Sequence, residues 1–272
     1  MILMQFNSLI EIDNYLILGR EFIPYLNYWY SFGHHGNYQN MNRLLLKPSD
    51  KQPDDTFLIK DQRRLTHLKN HLKIEVGQKI KITLQDQGLS MGKIISLSEN
   101  EIAVKLGAIE PIQQRSLNLF IGISRPPTMK KVIEHGTSMG VTHFHLIGAH
   151  LSEKSYFDSK IFETENLLTL LELGIEQSGY FCKIPKVSFY NSIDDIKALG
   201  QAIFLHPETG QTYFEIDFKN VDEISLAIGP ERGWTKYEVE VLSKKGFAPA
   251  HLGGSRLRTE IATFTCLGPL SV

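Results

Sequence analysis

Residues 226–242 read LAIGPERGWTKYEVEVL, and this stretch decides the fold of the second half of the chain. The apolar run 226–228 predicts a buried strand, and the turn after it ends where Thr235 and Glu238 form a T-x-x-E pattern. That pattern is typical of a helix N-terminus, because the two side chains cap each other's backbone N–H groups. A strand, a tight turn and a helix indicate an open α/β sheet, whose ligands bind at the carboxyl ends of the strands. The stretch therefore predicts a ligand loop at 229–233.

The residues of this turn suit a bound molecule. Gly229 and Gly233 allow the backbone to approach a ligand because they carry no Cβ. Pro230 stiffens the turn, and Glu231 can accept hydrogen bonds from a ribose or hold a partner arginine. The turn is neither a G-x-G-x-x-G sequence nor a P-loop, since no Lys-Ser or Lys-Thr pair follows. A plain connection between two elements is the alternative to a ligand site.

The second half repeats the alternation of strands and helices. Apolar runs predict strands at 117–123, 141–148, 184–190, 202–206 and 223–229. One helix is predicted to start at Pro126, a second is predicted to be capped by Thr164, and Ser192 and Asp195 are predicted to open a short third helix. The side chains predicted to face the core are Met129, Val132 and Ile133 in the first helix and Leu167, Leu168, Leu171 and Ile175 in the second. This order predicts an α/β fold with a mostly parallel sheet covered on both faces.

The first half follows a different period. Between residues 79 and 106, apolar and polar residues alternate, with turn signals at 86–88 and 98–100. Alternation with tight turns predicts a small antiparallel barrel or meander.

A polar segment near 111–117 separates the two patterns. We therefore predict a β-barrel domain at 41–113 and an α/β domain at 114–272. Residues 1–40 are rich in aromatics and have no clear period, which favours a poorly ordered extension or an unused upstream start; a functional aromatic arm is the alternative.

The composition is ordinary for a globular protein, with 272 residues, 42% hydrophobic and 22% charged. The formal net charge is −1, so contact with nucleic acid must come from a local patch. Cys182 and Cys266 are the two cysteines and have no metal spacing, which favours reduced thiols in the core of a cytoplasmic protein. No apolar stretch approaches the ~20 residues of a membrane span, and the chain does not begin like a signal peptide. We therefore expect no membrane partner.

Two further strand ends carry turns of the same kind. Residues 203–210, IFLHPETG, leave a predicted strand at His206. Residues 251–264, HLGGSRLRTEIATF, place a turn at Gly253 before a final helix that opens at Thr259. Three strand ends therefore carry turns suited to a ligand.

The pair IGPERGW (228–234) and LGGSRLRTEIA (252–262) resembles the double signature of the RsmE-type 16S ribosomal RNA uridine N3-methyltransferases, which belong to the SPOUT superfamily of knotted methyltransferases. Arg232 stands where that family commonly has glycine. The resemblance covers about residues 41–268. It extends to the stretches RLTHLKNHLKIEVGQKI (64–80), MKKVIEHGTSMGV (129–141) and GIEQSGYFCKIPKV (174–187).

The resemblance implies a SPOUT α/β trefoil-knot domain, preceded by a PUA-like β-barrel that binds RNA, in a homodimer. It implies S-adenosylmethionine, held largely by the backbone of the knot loops, and a substrate that is ribosomal RNA or the small ribosomal subunit. Independently of the resemblance, no metal is expected, because the histidines and cysteines show no metal-ligand spacing. The cofactor-binding residues that the resemblance implies are Leu205, His206, Ile228, Gly229, Pro230, Glu231, Gly233, Leu252, Gly253 and Leu257.

The implied reaction removes a proton from N3 of a uridine and adds a methyl group from a sulfonium. Because the donor is a strong electrophile, the enzyme mainly aligns it with the ring nitrogen and excludes water. No thiolate is required. Arg258 is the candidate for binding the target nucleotide or its developing negative charge, and Glu260 or Glu231 could position that arginine or assist proton removal.

The stretch KDQRRLTHLKNHLK (60–73) carries five basic residues against one acid. Concentrated lysine and arginine release counterions from RNA, so a phosphate-contacting patch is predicted, and a solvated helical face is the alternative. The candidate RNA contacts are Arg63, Arg64, His67, Lys69 and Lys73. The pairs His34-His35 and His143 with His145 lack an acid at metal spacing, which favours core or surface roles.

Three other functions compete with this prediction. Another SPOUT reaction, such as 2′-O-ribose methylation, would use the same loops and would be recognised by its modified nucleoside. A catalytically inactive RNA-binding homologue would be recognised by a failure to bind S-adenosylmethionine. A dinucleotide-dependent oxidoreductase is disfavoured, because no G-x-G-x-x-G sequence opens the α/β half.

Overall fold

The computed structural model describes residues 43–208 and 210–271, apart from the side chain of His71. The extension predicted at 1–40, with its pair His34-His35, lies outside the described residues. Within those residues, no helix is long and apolar enough to cross a membrane.

Five strands form the first sheet, in the order β1-β3-β4-β5-β2. They are β1 (Leu44–Leu46), β2 (Thr56–Ile59), β3 (Lys79–Leu84), β4 (Gly88–Leu97) and β5 (Ile102–Leu106). A short helix, α1 (Gln62–Thr66), continues into one wider turn of helix at His67–His71. The predicted alternation is confirmed in β3, where Ile80 and Ile82 are buried and Lys79 and Lys81 are exposed.

One pairing departs from the antiparallel arrangement predicted for this half. β1 runs parallel to β3, with Leu44 opposite Ile82, whereas the other pairs in the sheet are antiparallel. A parallel pair is possible because β2 and α1 lie between β1 and β3 in the chain and provide a long crossover. β1 is also buried on both faces, since Leu45 packs against Ile175 and Phe181 of the second half.

Seven strands form the second sheet, in the order β10-β12-β9-β11-β6-β7-β8, and all its pairs are parallel. They are β6 (Ser116–Gly122), β7 (His143–Ile147), β8 (Lys186–Tyr190), β9 (Gln201–Leu205), β10 (Gln211–Thr212), β11 (Glu223–Ile228) and β12 (Ala248–His251). The predicted parallel sheet is therefore confirmed. The two-residue strand β10 was not predicted, because so short a strand has no readable period.

Four helices accompany this sheet among the described residues. They are α2 (Pro126–Ser138), α3 (Thr164–Ser178), α4 (Lys236–Lys244) and α5 (Thr259–Leu267). Helices α2, α3 and α5 contribute to the core on one face of the sheet, and α4 contributes to the core on the other. Both faces are covered, as predicted. In α2 the predicted inward residues Met129, Val132 and Ile133 are fully buried.

Two details of α3 were predicted wrongly. Leu168 was expected to face inward but is 45% exposed, and Leu170 is buried instead. Thr164 was expected to cap the helix but is its first residue, with Glu163 before it. Successive residues lie about 100° apart around the helix, and the buried face is centred between Leu167, Leu170 and Leu171, which leaves Leu168 outside it.

The short helix predicted from Ser192 and Asp195 is a single 3-10 turn, Ile193–Asp195, in which the hydroxyl of Ser192 accepts a hydrogen bond from the backbone N–H of Asp194. Cys182 and Cys266 are buried free thiols, as predicted. Burial raises the pKa of Cys266 to about 12.

The two sheets belong to one compact unit, Met41–Val272. Ion pairs join the first sheet and its helix to α3: the ammonium of Lys47 lies 2.5 Å from Glu172, and the guanidinium of Arg63 lies 2.6 Å from Glu176. The boundary between residues 113 and 114 stays a prediction.

Candidate active site

The carboxyl ends of β9, β11 and β12 lie side by side, because β9 pairs with both other strands. The loops that leave these ends surround a cavity of about 370 Å3. All ten predicted cofactor residues line it. They are Leu205, His206, Ile228, Gly229, Pro230, Glu231, Gly233, Leu252, Gly253 and Leu257. Three turns that are far apart in the sequence therefore form one site.

The loop after β11 depends on glycine. A Cβ on Gly229 would lie 3.0 Å from the Cα of Gly233. Gly233 itself has a φ of +74°, a conformation that other residues rarely adopt. The loop also packs closely on β6, since a Cβ on Gly122 would lie 2.4 Å from Cδ of Pro230. The backbone of the loop therefore needs glycine for two reasons: a side chain would be crowded at Gly229 and Gly122, and the positive φ of Gly233 disfavours other residues.

The predicted capping box fixes the far end of this loop. The carboxylate of Glu238 accepts hydrogen bonds from the backbone N–H and the hydroxyl of Thr235, at 2.7 and 2.8 Å. It also accepts a hydrogen bond from the backbone N–H of His150, at 2.9 Å. Glu238 is fully buried. The start of α4, and with it the end of the loop, is therefore anchored to the segment that follows β7.

Glu231 is paired within the chain. One of its carboxylate oxygens accepts hydrogen bonds from the backbone N–H of Arg125, at 2.9 Å, and from its Nε, at 3.2 Å. Burial alone would raise the pKa of Glu231, but the hydrogen bonds from Arg125 outweigh it and hold that pKa below its ordinary value. Glu231 was considered as an acceptor for a ribose or as the partner of an arginine, and the structure shows the second. Because its pKa is lowered, the carboxylate is ionised at neutral pH.

Two arginines give the cavity a positive wall. Arg232 and Arg256 both line it, and neither forms an ion pair with another described residue. The carboxylate of Glu231, which also lines it, is already paired with Arg125. A guanidinium presents planar, fixed donors that match a carboxylate or a phosphate. The cavity therefore suits a ligand with an anionic group.

Several residues of this cavity were not predicted. They are Pro207, Arg232, Trp234, His251, Ser255, Arg256, Thr259 and Ala262. The position of Arg232 and Trp234 inside the quoted loop was an available signal. Ala262 had none, since it lies one turn into α5 and looks like a core residue.

The two predicted catalytic residues are adjacent to the cavity in sequence but do not line it. Arg258 is exposed at the N-terminus of α5 and makes no ion pair within the described part of the chain. Glu260 is buried at 9% exposure. Between them, Thr259 lines the cavity, and its hydroxyl donates to the carbonyl of Gly229 at 3.4 Å. The catalytic roles of Arg258 and Glu260 stay predictions.

Arg63 and Arg64, which were predicted to contact phosphates, are both paired with acids of the same chain. Arg64 is 4% exposed, and its guanidinium donates to Asp50 at 2.8 Å and also contacts Asp61. Arg63 donates to both carboxylate oxygens of Glu176. These arginines hold α1 against the first sheet and against α3, so their charges are already neutralised. The sequence could not show these pairs, because Asp50, Glu172 and Glu176 are distant from α1 in the chain.

The other three members of that patch stay predictions. Lys73 is exposed and Lys69 is half-buried. The ammonium of Lys69 donates to the carbonyl of Glu99. His67 is half-buried in the wider turn after α1.

The second half matches a known protein family. Residues 111–271 match the family model described as RNA methyltransferase domain. Among curated relatives, ribosomal RNA small subunit methyltransferase E of Treponema pallidum is 29% identical over 238 residues, which cover 82% of this chain and 87% of the relative. Ribosomal RNA small subunit methyltransferase E 1 of Borreliella burgdorferi is 26% identical over 224 residues, which cover 76% of this chain and 89% of the relative.

Solved structures have the same fold. A ribosomal RNA small subunit methyltransferase E from Neisseria gonorrhoeae, bound to S-adenosyl methionine, has a TM-score of 0.70 at 18% identity and covers 85% of this chain and 96% of its own. A methyltransferase from Legionella pneumophila, in complex with the cofactor SAM, has a TM-score of 0.69 at 22% identity and covers 84% and 96%.

Proposed function

The chain belongs to the RNA methyltransferase domain family, and from this premise we propose that it transfers a methyl group from S-adenosylmethionine to N3 of a uridine in 16S ribosomal RNA. The observation that carries the proposal is the single cavity at the ends of β9, β11 and β12, which all ten predicted cofactor residues line. The curated relatives that match most of the chain are named as small-subunit ribosomal RNA methyltransferases.

The residues of the cavity fit S-adenosylmethionine. Gly229 and Gly233 line the cavity without side chains, and Leu205, Leu252 and Leu257 supply apolar surface for an adenine ring. Arg232 or Arg256 can pair with the carboxylate of the methionine portion. When bound, the cofactor supplies a methyl group on a sulfonium.

The chain's own contribution to the reaction is to hold the target base and its charge. Uracil acquires negative charge as N3 loses its proton, and a positioned guanidinium stabilises such charge. Arg258 has the exposed side chain for this role, and it makes no ion pair with Glu260 or with another described acid. Glu231 is paired with Arg125 and its pKa is held low, which makes it a weak proton acceptor and favours a role in supporting the loop.

The finer structure that we propose follows the family resemblance. The loops around the cavity form a trefoil knot, and the five-stranded sheet is a PUA-like RNA-binding domain. The protein acts as a homodimer, which is supported by the exposed apolar side chains of Leu257 and Ile261 beside the cavity, 40% and 48% exposed. A ribosomal RNA substrate places the protein in the cytoplasm.

Calorimetry with S-adenosylmethionine tests the proposal, with ATP as an adenosine-containing control. We expect the cofactor to bind and ATP to bind far more weakly, because the triphosphate lacks the sulfonium and the methionine portion. A folded protein that releases no heat with S-adenosylmethionine would instead be a catalytically inactive RNA-binding homologue.

A further inference from the structure

Three lysines stand side by side on the outer face of the first sheet. Lys79 of β3 pairs directly with Lys93 of β4, and Lys93 pairs directly with Lys105 of β5. Residues that are paired in this way point to the same face, with Cβ atoms about 4.5–5.5 Å apart. All three are exposed, whereas their neighbours Ile80, Ile94 and Val104 face the core. We call Lys79, Lys93 and Lys105 the lysine row.

The row is unfavourable for the sheet on its own. Like charges that lie directly opposite each other destabilise an antiparallel pair. No aspartate or glutamate occurs in β3, β4 or β5, and none of the three lysines forms an ion pair with another described residue. The pKa of Asp54 is lowered mainly by its hydrogen bond from Thr56 and only to a smaller extent by Lys105.

Protection of a sheet edge does not explain the row. Lysines on edge strands discourage pairing with other chains, but β3, β4 and β5 are the three central strands, between β1 and β2. A solvated sheet face needs polar residues of either sign. A face that carries one sign only is typical of a surface that attracts the opposite charge.

The face also suits a long anion better than a small one. The backbone N–H groups of the central strands are paired in the sheet, so no cradle of N–H groups is available for an isolated phosphate ion. Strands lie about 4.7–4.9 Å apart, and the row therefore spans roughly 10 Å. Lys81, two pairs along from Lys79, adds a fourth charge on this face. Its partner Met91 and the nearby Ile95, 46% and 40% exposed, add apolar surface.

We propose that the lysine row is the surface by which the first sheet binds the phosphate backbone of the RNA substrate, in place of Arg63 and Arg64. This proposal rests on the proposed function, which supplies the RNA. The chain as a whole carries a net charge of −1, so a local cationic face of this kind is what attracts a polyanion to one side of the molecule.

The test compares two triple variants that lose the same charge. One is Lys79→Gln, Lys93→Gln and Lys105→Gln; the matched control is Lys197→Gln, Lys219→Gln and Lys244→Gln, at three exposed lysines outside the first sheet. The affinity for a transcript of the small-subunit ribosomal RNA is measured from low to high salt, and S-adenosylmethionine binding is measured by calorimetry. Log K falls as log salt rises, and each lost phosphate contact makes this negative slope shallower by about 0.7–0.9.

We expect the slope of the row variant to be shallower by about two units. Its affinity for the RNA at 0.15 M salt should be weaker by a factor on the order of ten or more. The control and the binding of S-adenosylmethionine should not change. Melting temperature verifies the fold, and if the triple variant does not fold, Lys93→Gln alone should lower the slope by about one unit.

Either of two results would overturn the proposal while leaving the proposed function intact: a row variant with the wild-type slope, or equal losses in both triple variants. The proposal would also be overturned, with the proposed function intact, if the row variant lost binding to anionic phosphatidylserine vesicles but kept its binding to RNA. A wild-type protein that binds S-adenosylmethionine but no ribosomal RNA would overturn the proposed substrate, and this surface with it.

Discussion

Arg258 is the residue whose substitution separates catalysis from cofactor binding. It lies at the N-terminus of α5, where its side chain forms no capping bond, and the ten predicted cofactor residues do not include it. We predict that Arg258→Ala keeps the fold and binds S-adenosylmethionine normally, while methyl transfer falls by a factor on the order of 100, as when one positioned donor is lost. Arg258→Lys should restore little, because an ammonium cannot reproduce the planar fork.

A methyl-transfer assay, calorimetry and gel filtration on the same preparation decide this prediction. Lys244→Ala, an exposed basic residue on α4, is the matched control and should transfer methyl groups at the wild-type rate. Normal turnover by a folded Arg258→Ala protein would rule the catalytic assignment out.

Gly229 has less room for a side chain than Gly233, the other glycine of its loop. Since a Cβ at this position would lie 3.0 Å from the backbone of Gly233, Gly229→Val should displace the loop and abolish S-adenosylmethionine binding in calorimetry. Gly254→Ala is the control, because a Cβ there meets nothing within 4 Å. If Gly229→Val stays folded and binds the cofactor with unchanged affinity, loop 229–233 is not part of the site.

Local patterns indicated which strand ends carry turns, and the family resemblance supplied the ten proposed cofactor residues. All ten line one cavity, and their contact with the cofactor stays a prediction. The exposure of Leu168 and the internal ion pairs of Arg63 and Arg64 were not predicted, for one physical reason. Whether a charged or apolar side chain faces solvent depends on partners such as Asp50, Glu172 and Glu176, which the fold brings from other segments.

At the scale of the element, α4 holds the cofactor loop through its buried cap. Glu238→Ala removes the acceptor of three hydrogen bonds and leaves buried backbone donors unsatisfied. We expect a loss of about 2–4 kcal/mol of unfolding free energy, against about 1 kcal/mol for Thr235→Ala. Urea unfolding measures both. The exposed Glu240 of the same helix is the control, and an equal effect of Glu240→Ala would contradict the role of the cap.

A buried histidine in β7, His145, makes the unfolding free energy depend on pH. Burial, and then the neighbouring His143, lower the pKa of His145 to about 3. The ring stacks on Phe120 at 3.9 Å. The folded state therefore binds fewer protons than the unfolded state, and this contribution to stability is lost as the pH falls below about 6.5. Between pH 7 and pH 5 the loss through His145 is about 2 kcal/mol.

Urea unfolding at pH 5, 6, 7 and 8 checks this slope. His145→Gln should flatten it, whereas His150→Gln, at an exposed histidine, should leave it unchanged. A steep slope that survives in His145→Gln would assign the titration to other groups.

At the scale of the whole molecule, the class of fold was readable and the order of the strands was not. The switch from period two to alternating strands and helices predicted the parallel sheet, and the resemblance to the RsmE-type enzymes is confirmed by the matching RNA methyltransferase domain. A linear pattern cannot show which strands are neighbours. β9 lies between β11 and β12, and this order brings three loops together. Both this order and the parallel pairing of β1 with β3 depend on contacts between residues distant in the chain.

The most direct test of the proposed function follows the methyl group itself. The protein is incubated with S-adenosylmethionine that carries an isotopically labelled methyl group and with small-subunit ribosomal RNA, as naked RNA and as assembled subunits. The RNA is then digested to nucleosides for mass spectrometry. We expect the label in 3-methyluridine and in no other nucleoside. Label in a 2′-O-methylated nucleoside, or no label in RNA while S-adenosylmethionine is bound, would contradict the proposed reaction.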